Sequence, residues 1–324
     1  MPEIQLLKII RSKKRISWEK AIHRPIISDP KPAIFLLCCL FLFFTVQGCA
    51  WIGSSDWVKR GAVNGLYPTF EDFHAVALQC DDLQILQSTM ESWVLLAETL
   101  VASNPKNADL VSFASRLYGY YSFGFVVHND LERARKLYWR GIALGKKALL
   151  NNPALKKAMD QGEQLYKCVN LLRPDKDIPA AFATALCQGM LLICSLDLPE
   201  ALGEANAFKA LCEWVITHDE MYFCAGSHSL IGVYYGLMPA IMGGGPEKAR
   251  IKFKKAISLS PDFLLHYYLY ARYVPTLVYD EPHFDELIEH ILKADTRALP
   301  EYAAFNEIAK LKARLLEEDR NIYF

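Results

Sequence analysis

Two thirteen-residue segments of this chain align without gaps, and they restrict the fold more than any other feature of the sequence. They are DLERARKLYWRGI, residues 130–142, and GPEKARIKFKKAI, residues 245–257. In the second segment Ala249, Phe253 and Ala256 follow an i, i+4, i+7 spacing, which places them on one face of an α-helix. Small residues on that face let a neighbouring helix approach closely, and the ring fills the space between helices. We therefore predict two helices that pack by the same face.

The first segment carries the same kinds of residue at the matching positions, which are Ala134, Tyr138 and Gly141. In the second segment Pro261 follows five residues after Ala256 and is expected to stop the helix, because proline lacks the backbone N–H that a helix needs. A small, an aromatic and a small residue followed by proline, at this spacing, are typical of the second helix of a tetratricopeptide repeat. We predict that these seven positions pack helix pairs of that kind.

The rest of the chain after residue 49 is also patterned for helices. Alternating β-branched runs and Asn-Gly hairpins, which mark strands, are almost absent. Helix starts recur instead, as in HNDLERA, where Asn129 or Asp130 is the candidate N-cap, and in NNPALKKA, where Pro153 takes the first helical position. We predict an all-α protein, a helical bundle of about twelve helices with degenerate tetratricopeptide-like helix-turn-helix repeats.

The glycine run in IMGGGPEKAR, residues 241–250, has two interpretations. A phosphate-binding loop needs a preceding strand and the pattern G-x-x-x-x-G-K-[ST]. Here a helical stretch precedes the glycines, and Lys248 is not followed by Ser or Thr. We therefore expect residues 243–245 to end one helix and Pro246 to begin the next.

The N-terminus differs from the rest of the chain in composition. Residues 1–32 carry eight Lys and Arg against three acids, and residues 33–46 carry no charge. Such a short apolar run suits a secretory signal better than a bilayer-spanning helix, which needs about 20 residues. The sequence VQGC then places Gly48 directly before Cys49, as at a bacterial lipoprotein processing site. An uncleaved anchor helix is the alternative.

These features divide the chain into three parts. We predict a lipoprotein signal peptide over 1–48, a tether over 49–60 that carries fatty acyl chains on Cys49, and a tetratricopeptide-like all-α domain over 61–324. Acyl chains anchor a protein by burying methylene groups in the bilayer.

Charge and motif content exclude several classes of function. The chain has no formal net charge, and without residues 1–48 it holds 28 Lys and Arg against 33 Asp and Glu, so no nucleic-acid partner is predicted. His283 and His290 lie among acids, but we expect a solvated helix face there and not a metal site. No nucleophile motif is present. We predict no enzymatic activity, no cofactor and no metal.

Helical stretches that mix glycine with aromatic residues are the unusual feature. They are LYGYYSFGFVV at 117–127 and LIGVYYGLMPA at 230–240. Glycine costs a helix about 1 kcal/mol relative to alanine, so it needs a reason. The glycines allow close helix crossing or open a cavity for an amphipathic small ligand, and both reasons can hold together. The candidate ligand or pore residues are His228, Tyr234, Tyr235, Tyr270 and Arg272, of which Arg272 is suited to pair with a ligand carboxylate or with a carboxylate of the chain itself.

Several longer segments resemble one family. They are RLYGYYSFGFV, ERARKLYWRGI, GVYYGLMPAIMGGGPEKARIKFKKAI, YARYV, HFDELIEHILKAD and the tail EYAAFNEIAKLKARLLEE. The chain resembles the tetratricopeptide lipoproteins associated with TRAP transporters, the T component of tripartite ATP-independent periplasmic transport systems. The resemblance covers about residues 60–324 and is thinnest over 152–200, where an expected aromatic pair after Pro179 is missing.

This resemblance implies an all-α, non-catalytic protein with a pore through each subunit of a homotrimer. It also implies docking to the periplasmic solute-binding (P) component and transfer of a small, hydrophobic ligand. Ala50 after the lipid cysteine favours the outer membrane over the inner one, with the protein facing the periplasm. A general tetratricopeptide scaffold lipoprotein for assembly of the cell envelope is the alternative.

Overall fold

The fold is given by a computed structural model that describes residues 56–324. The predicted signal peptide and Cys49 lie outside the described residues. Residues 56–324 form fifteen α-helices, thirteen of them with five residues or more, and no strand, so the all-α prediction is confirmed. In chain order they are α1 Asp56–Leu78, α2 Leu83–Ser103, α3 Ala108–Tyr121, α4 Leu131–Leu149, α5 Pro153–Asp160, α6 Ile178–Cys194, α7 Pro199–Gly203, α8 Ala205–His218, α9 Tyr222–Leu237, α10 Pro246–Leu259, α11 Leu265–Tyr273, α12 Pro275–Val278, α13 Glu281–Lys293, α14 Ala303–Glu318 and α15 Arg320–Tyr323.

Side-chain caps explain where several of these helices begin. Asp130 accepts a hydrogen bond from the backbone N–H of Arg133 and is the N-cap of α4, which decides between the two candidates in HNDLERA. Asn152 caps α5 in the same way, with Pro153 at the first helical position as predicted. Each cap satisfies an N–H group that has no partner within the helix.

The two aligned segments become α4 and α10, and their predicted packing faces are buried. Ala134, Tyr138 and Gly141 are buried on α4, and the three matching residues of α10, Ala249, Phe253 and Ala256, are fully buried. Helix α10 ends at Leu259, and exposed Pro261 follows it. The assignment of these helices to tetratricopeptide repeats stays a prediction.

The glycine run forms a turn between α9 and α10. Gly243 and Gly245 have φ angles of 84° and 126°, a region that residues with a side chain rarely adopt. The Lys248 amine donates a hydrogen bond to the Gly243 carbonyl oxygen at 2.9 Å. The run therefore ends one helix and begins the next, as expected, and its lysine is already engaged with the turn itself.

Close helix crossing accounts for glycines inside several helices. A Cβ atom on Gly232 of α9 would lie 2.9 Å from the ring of Phe253, and one on Gly236 would lie 2.7 Å from the carbonyl oxygen of Tyr273. Both distances are too short for carbon, so these crossings depend on glycine. Close helix crossing therefore explains why glycine occupies positions 232 and 236.

The tightest crossing within a helix pair joins α4 to α6 and provides a test. A Cβ on Gly145 would lie 2.2 Å from Oγ1 of Thr184 and 3.0 Å from its Cα. We expect Gly145→Ala to lower the free energy of unfolding by about 1–3 kcal/mol, because the helices must separate. Gly203→Ala in α7 is the matched control, since its Cβ would meet nothing within 4 Å. Urea unfolding measures both, and equal stability of the two variants would contradict the crossing.

Two apolar cores fill the bundle. The first contains Phe182 and Phe208 and is built from α1 to α9, and the second contains Phe253 and Phe284 and is built mainly from α9 to α14. Helix α9 contributes to both cores, so it lies between them. None of the helices in residues 56–324 is both long and apolar enough to span a bilayer.

Candidate ligand-binding site

Three cavities lie where the two cores meet. Phe123, Leu186 and Phe223 pack against both cores and mark this boundary. Each of the three residues lines at least one of the cavities. We name them the mouth cavity, which Arg272 and Lys312 line, the aromatic cavity, which Phe182 and Phe223 line, and the distal cavity, which His74 and Ile308 line.

The mouth cavity is the largest of the three, at about 230 Å³. Its rim includes exposed His128 and half-buried Asp319 and Tyr323. Its inner wall is mainly apolar and aromatic. The residues of that wall are Phe123, Val127, Tyr138, Met190, Ile193, Cys194, Tyr268, Leu269, Tyr273, Leu315 and Leu316.

A π-helical turn at Ser122–Val126 shapes the boundary between the cavities. The Val127 N–H donates to the Ser122 carbonyl oxygen at 2.9 Å, five residues back, where an α-helix would bond four residues back. The extra residue sets the positions of Phe123 and Phe125, which line different cavities. Turns of this type occur frequently at functional sites.

Phe223 reaches the aromatic cavity from a strained backbone. Phe223, Cys224 and Ala225 have φ angles of 52°, 53° and 58°, so the first turn of α9 is left-handed. This conformation costs about 1–2 kcal/mol for each residue other than glycine. It places Phe223 among five other rings with centroid distances of 5.1 to 5.7 Å, which are Tyr120, Phe182, Phe263, Tyr302 and Phe305. Strain of this kind persists only where the surrounding structure holds it.

His266 holds this turn in place. Burial lowers the pKa of His266 to about 4, so its ring is neutral at physiological pH. The Cys224 carbonyl oxygen can only accept, so Nε2 of His266 carries the proton and donates to it at 2.7 Å. Nδ1 then accepts from the Ser229 hydroxyl, also at 2.7 Å. Both ring nitrogens are therefore occupied in positioning α9.

The three cavities form a row, because neighbours share wall residues. Phe123, Met190 and Leu269 line both the mouth cavity and the aromatic cavity, while Tyr120 and Phe305 line both the aromatic cavity and the distal cavity. The second and third cavities measure about 40 and 30 Å³, roughly the volume of one water molecule each. The row is therefore closed by side-chain rings beyond the mouth cavity.

Lys312 is the most unusual group in the mouth cavity. It is only 6% exposed, and its amine forms no hydrogen bond or ion pair with another side chain of residues 56–324. Burial lowers its pKa to about 8. The amine lies 4.4 Å from the centroid of the Phe123 ring, a contact that supplies about 2 kcal/mol when desolvated. Burying an ion costs several kcal/mol, so this contact does not offset the cost.

Arg272 lines the same cavity and also lacks a carboxylate partner among the described residues. Its guanidinium lies 4.4 Å from the ring centroid of Tyr323 and 5.5 Å from that of Tyr273. Asp319 is the one acid among the residues that line the cavity. With Lys312 protonated, the charged side chains of the cavity therefore sum to one positive charge.

The five ligand candidates from the sequence are not brought together. Arg272 lines the mouth cavity, whereas His228, Tyr234, Tyr235 and Tyr270 line none of the three cavities. Buried Tyr270 stacks on Phe253 at 5.5 Å, and buried Tyr234 contacts Phe208 at 6.1 Å. The roles of these residues in ligand or receptor binding stay predictions.

His228, on α9, belongs to a small polar group that also contains Glu220 and Lys255. Its Nε2 lies 2.9 Å from Oε1 of Glu220, and that oxygen is 3.4 Å from the Lys255 amine. Burial lowers the pKa of His228, although the hydrogen bond to Glu220 acts in the opposite direction. On α13, His283 pairs with Glu286 at 3.2 Å. Within residues 56–324 no three His, Cys, Asp or Glu side chains are placed to share a metal ion.

Sequence reasoning missed Lys312, His266 and Phe223. A signal for Lys312 was present: Phe305, Ala309, Lys312 and Leu316 follow helical spacing, so the lysine occupies a position on the apolar face of α14. The left-handed turn had no such signal, because Phe, Cys and Ala all disfavour that conformation.

Comparison with protein families shows a match over most of this chain. The model described as TAtT, TRAP transporter T-component, matches residues 79–324, about three quarters of the chain. The match includes all residues named above for the mouth and aromatic cavities. Comparison with curated proteins gave no significant match.

Proposed function

Because this chain belongs to the TRAP transporter T-component family, we propose that it is a lipid-anchored, periplasm-facing subunit that binds the solute-receptor (P) component and passes a small ligand through a central pore. Family membership associates the chain with a TRAP transport system of the cell envelope, as an accessory component. The family match over residues 79–324 is the observation that carries the proposal. The row of cavities supports its ligand-binding part.

The passage of a ligand would follow the row of cavities. An apolar ligand in the mouth cavity meets Phe123, whose ring is shared with the aromatic cavity, and next Tyr120 and Phe305. Rotation of these rings would join the cavities into a pore through the subunit. Assembly into a homotrimer, with one pore in each subunit, completes the proposed arrangement.

Anchoring is proposed to occur through Cys49, with the signal peptide removed at residue 48 and the protein held at the outer membrane. Labelling of growing cells with an alkyne fatty acid tests this proposal. We expect the wild-type chain to take up the label and Cys49→Ser to lose it. Equal labelling of both would contradict lipidation at Cys49.

Receptor binding is tested by pull-down of a TRAP solute receptor from the same organism, with the full-length chain in detergent as bait. We expect retention of the receptor on the chain and none on an unrelated lipoprotein. Absence of retention, with the bait shown to be helical by circular dichroism, would contradict the proposal. A chain that instead retained envelope-assembly proteins would be a scaffold lipoprotein.

Tyr235 provides a residue-level prediction for receptor or ligand binding. It is half-buried beside the glycine turn, with the amines of Lys209 and Lys248 at 5.8 and 5.9 Å from its ring centroid. We expect Tyr235→Ala to lower receptor affinity about tenfold, which is 1.4 kcal/mol, with a smaller relative loss of melting temperature. Biolayer interferometry and thermal melts measure the two.

Tyr166→Ala is the matched control for this variant. Tyr166 is also half-buried, and the Lys167 amine lies 5.7 Å from its ring centroid, but it is distant in sequence from the glycine turn. We expect receptor affinity to be unchanged in this variant. If Tyr235→Ala lowered only the melting temperature, Tyr235 would be an ordinary packing residue.

A further inference from the structure

The mouth cavity contains a buried positive charge that pairs with no carboxylate of residues 56–324. Lys312 is 6% exposed and lines the cavity, and it has no carboxylate partner in residues 56–324. Such an amine has lost most of its hydration, and the contact with the Phe123 ring offsets only part of that cost. A lysine that served only packing would be better replaced by methionine. Its presence next to an accessible cavity therefore indicates an anion from outside the chain.

Arg272 adds a second cation on a different helix. Lys312 is on α14 and Arg272 is on α11, and both line the mouth cavity. The guanidinium carbon lies 4.4 Å from the centroid of the Tyr323 ring, and no carboxylate of residues 56–324 pairs with its N–H groups, which suit a carboxylate. Asp319 at the rim opposes a second negative charge on the ligand. Because Lys312 and Arg272 are cations and Asp319 is an anion, the cavity favours a ligand with one negatively charged group over a ligand with two.

The remainder of the cavity would hold an apolar body. Phe123, Met190 and Leu269 form the wall that the mouth cavity shares with the aromatic cavity. At about 230 Å³ the mouth cavity is just below the roughly 300–1,000 Å³ of pockets for drug-sized ligands, so the ligand is small.

From this arrangement we infer that the mouth cavity binds an amphipathic organic monoanion, a carboxylate with a short aromatic or aliphatic body. The carboxylate pairs with Lys312 and Arg272, and the body points toward Phe123 and the aromatic cavity. This inference deepens the proposed function, because it names the ligand class for the same row of cavities. It does not depend on the receptor.

Isothermal titration calorimetry with 3-phenylpropionate and its neutral isostere 3-phenylpropanamide tests the inference on the full-length protein. We expect the carboxylate to bind at least tenfold more tightly than the amide. Lys312→Met is expected to reduce this preference to less than twofold, and Lys312→Arg to retain it. Equal affinity of the wild-type protein for the two compounds would overturn the inference.

Lys310→Met is the matched control. Lys310 is half-buried on the same helix, two residues away, and it does not line the cavity. The preference for the carboxylate should be unchanged in this variant. Arg272→Gln is a second cavity variant and should weaken carboxylate binding without affecting amide binding. If Lys310→Met and Lys312→Met had the same effect, the preference would come from general surface charge and the site would be wrong.

Proton uptake on ligand binding gives a readout that does not depend on comparing affinities. The titratable or charged groups that line the cavity with Lys312 are His128, Tyr138, Cys194, Tyr268, Arg272, Tyr273, Asp319 and Tyr323. Burial raises the pKa of Cys194 to about 11 and of Tyr268 to about 12, and it raises that of Tyr273 further, so these groups stay neutral at pH 8. Burial lowers the pKa of Lys312 to about 8, so this amine titrates in the same pH range.

An anion beside Lys312 favours the protonated amine, so binding at pH 8 should take up a fraction of a proton. Titrations in two buffers of different ionisation enthalpy measure this uptake, and Lys312→Arg should abolish it. No uptake by the wild-type protein would contradict pairing with Lys312.

The outcomes separate this inference from the proposed function. Carboxylate binding without receptor binding would support the anion site and contradict the role as a receptor partner. Receptor binding with equal affinity for carboxylate and amide would support the role as a receptor partner and contradict the anion site.

Discussion

Phe253→Ala is expected to lower the free energy of unfolding by about 3–5 kcal/mol. Phe253 is fully buried, its ring stacks on Tyr270 at 5.5 Å, and it fills the space that Gly232 leaves on α9. Truncation removes the contacts of the ring and leaves a cavity where three helices meet. Neighbouring helices cannot close that cavity easily, because α9 and α11 already touch at Gly236.

Ile251→Ala on the same helix is the control for this prediction. Ile251 is 66% exposed, so its truncation should change stability by less than about 0.5 kcal/mol. Denaturant unfolding followed by circular dichroism measures both variants. A loss below 1 kcal/mol in Phe253→Ala would show that the aromatic position of this helix does not organise the packing.

Lys312→Met is expected to raise the free energy of unfolding of the ligand-free protein at pH 7 by roughly 3 kcal/mol, since one pKa unit corresponds to about 1.4 kcal/mol. The pKa of Lys312 is lowered by burial from 10.5 to about 8. Between these values the unfolded chain binds more protons than the folded one, so the wild-type protein gains stability as pH rises from 8 to 10.5. Methionine fills a similar volume without a charge and removes this dependence.

Urea unfolding of the wild-type protein, Lys312→Met and Lys310→Met across pH 7 to 10.5 measures this effect. The Lys312→Met variant should be more stable at pH 7, and its advantage over the wild-type protein should shrink toward pH 10.5. The control variant should follow the wild-type protein. A Lys312→Met variant less stable than the wild-type protein at pH 7 would mean that the amine has a partner that stabilises the fold.

The helices and the buried faces of α4 and α10 could be predicted because local physics determines them. The packing faces of α4 and α10 are visible as residue spacing, since a helix places every third or fourth residue on one side. The capping residues Asp130 and Asn152 act within their own turn. The glycine run also depends on local geometry, because only glycine adopts the φ angles of Gly243 and Gly245 easily.

The candidate site was less predictable because its parts come from distant segments. Phe223 lines the aromatic cavity from a left-handed turn whose Cys224 carbonyl oxygen accepts a hydrogen bond from His266, 42 residues later. The π-helical turn that positions Phe123 has no established sequence pattern. Arg272 was identified from the sequence as suited to pair with a carboxylate. Its companion Lys312 lies on another helix, so their shared cavity depends on tertiary packing.

Native mass spectrometry of the full-length chain, released from detergent micelles together with a TRAP solute receptor of the same organism, tests the central claim most directly. It reports the subunit number, the receptor stoichiometry and any bound small molecule in one spectrum. The account predicts a trimer of this chain that carries receptor and releases a small organic anion on activation. A folded chain that stays free of receptor at every concentration would contradict it.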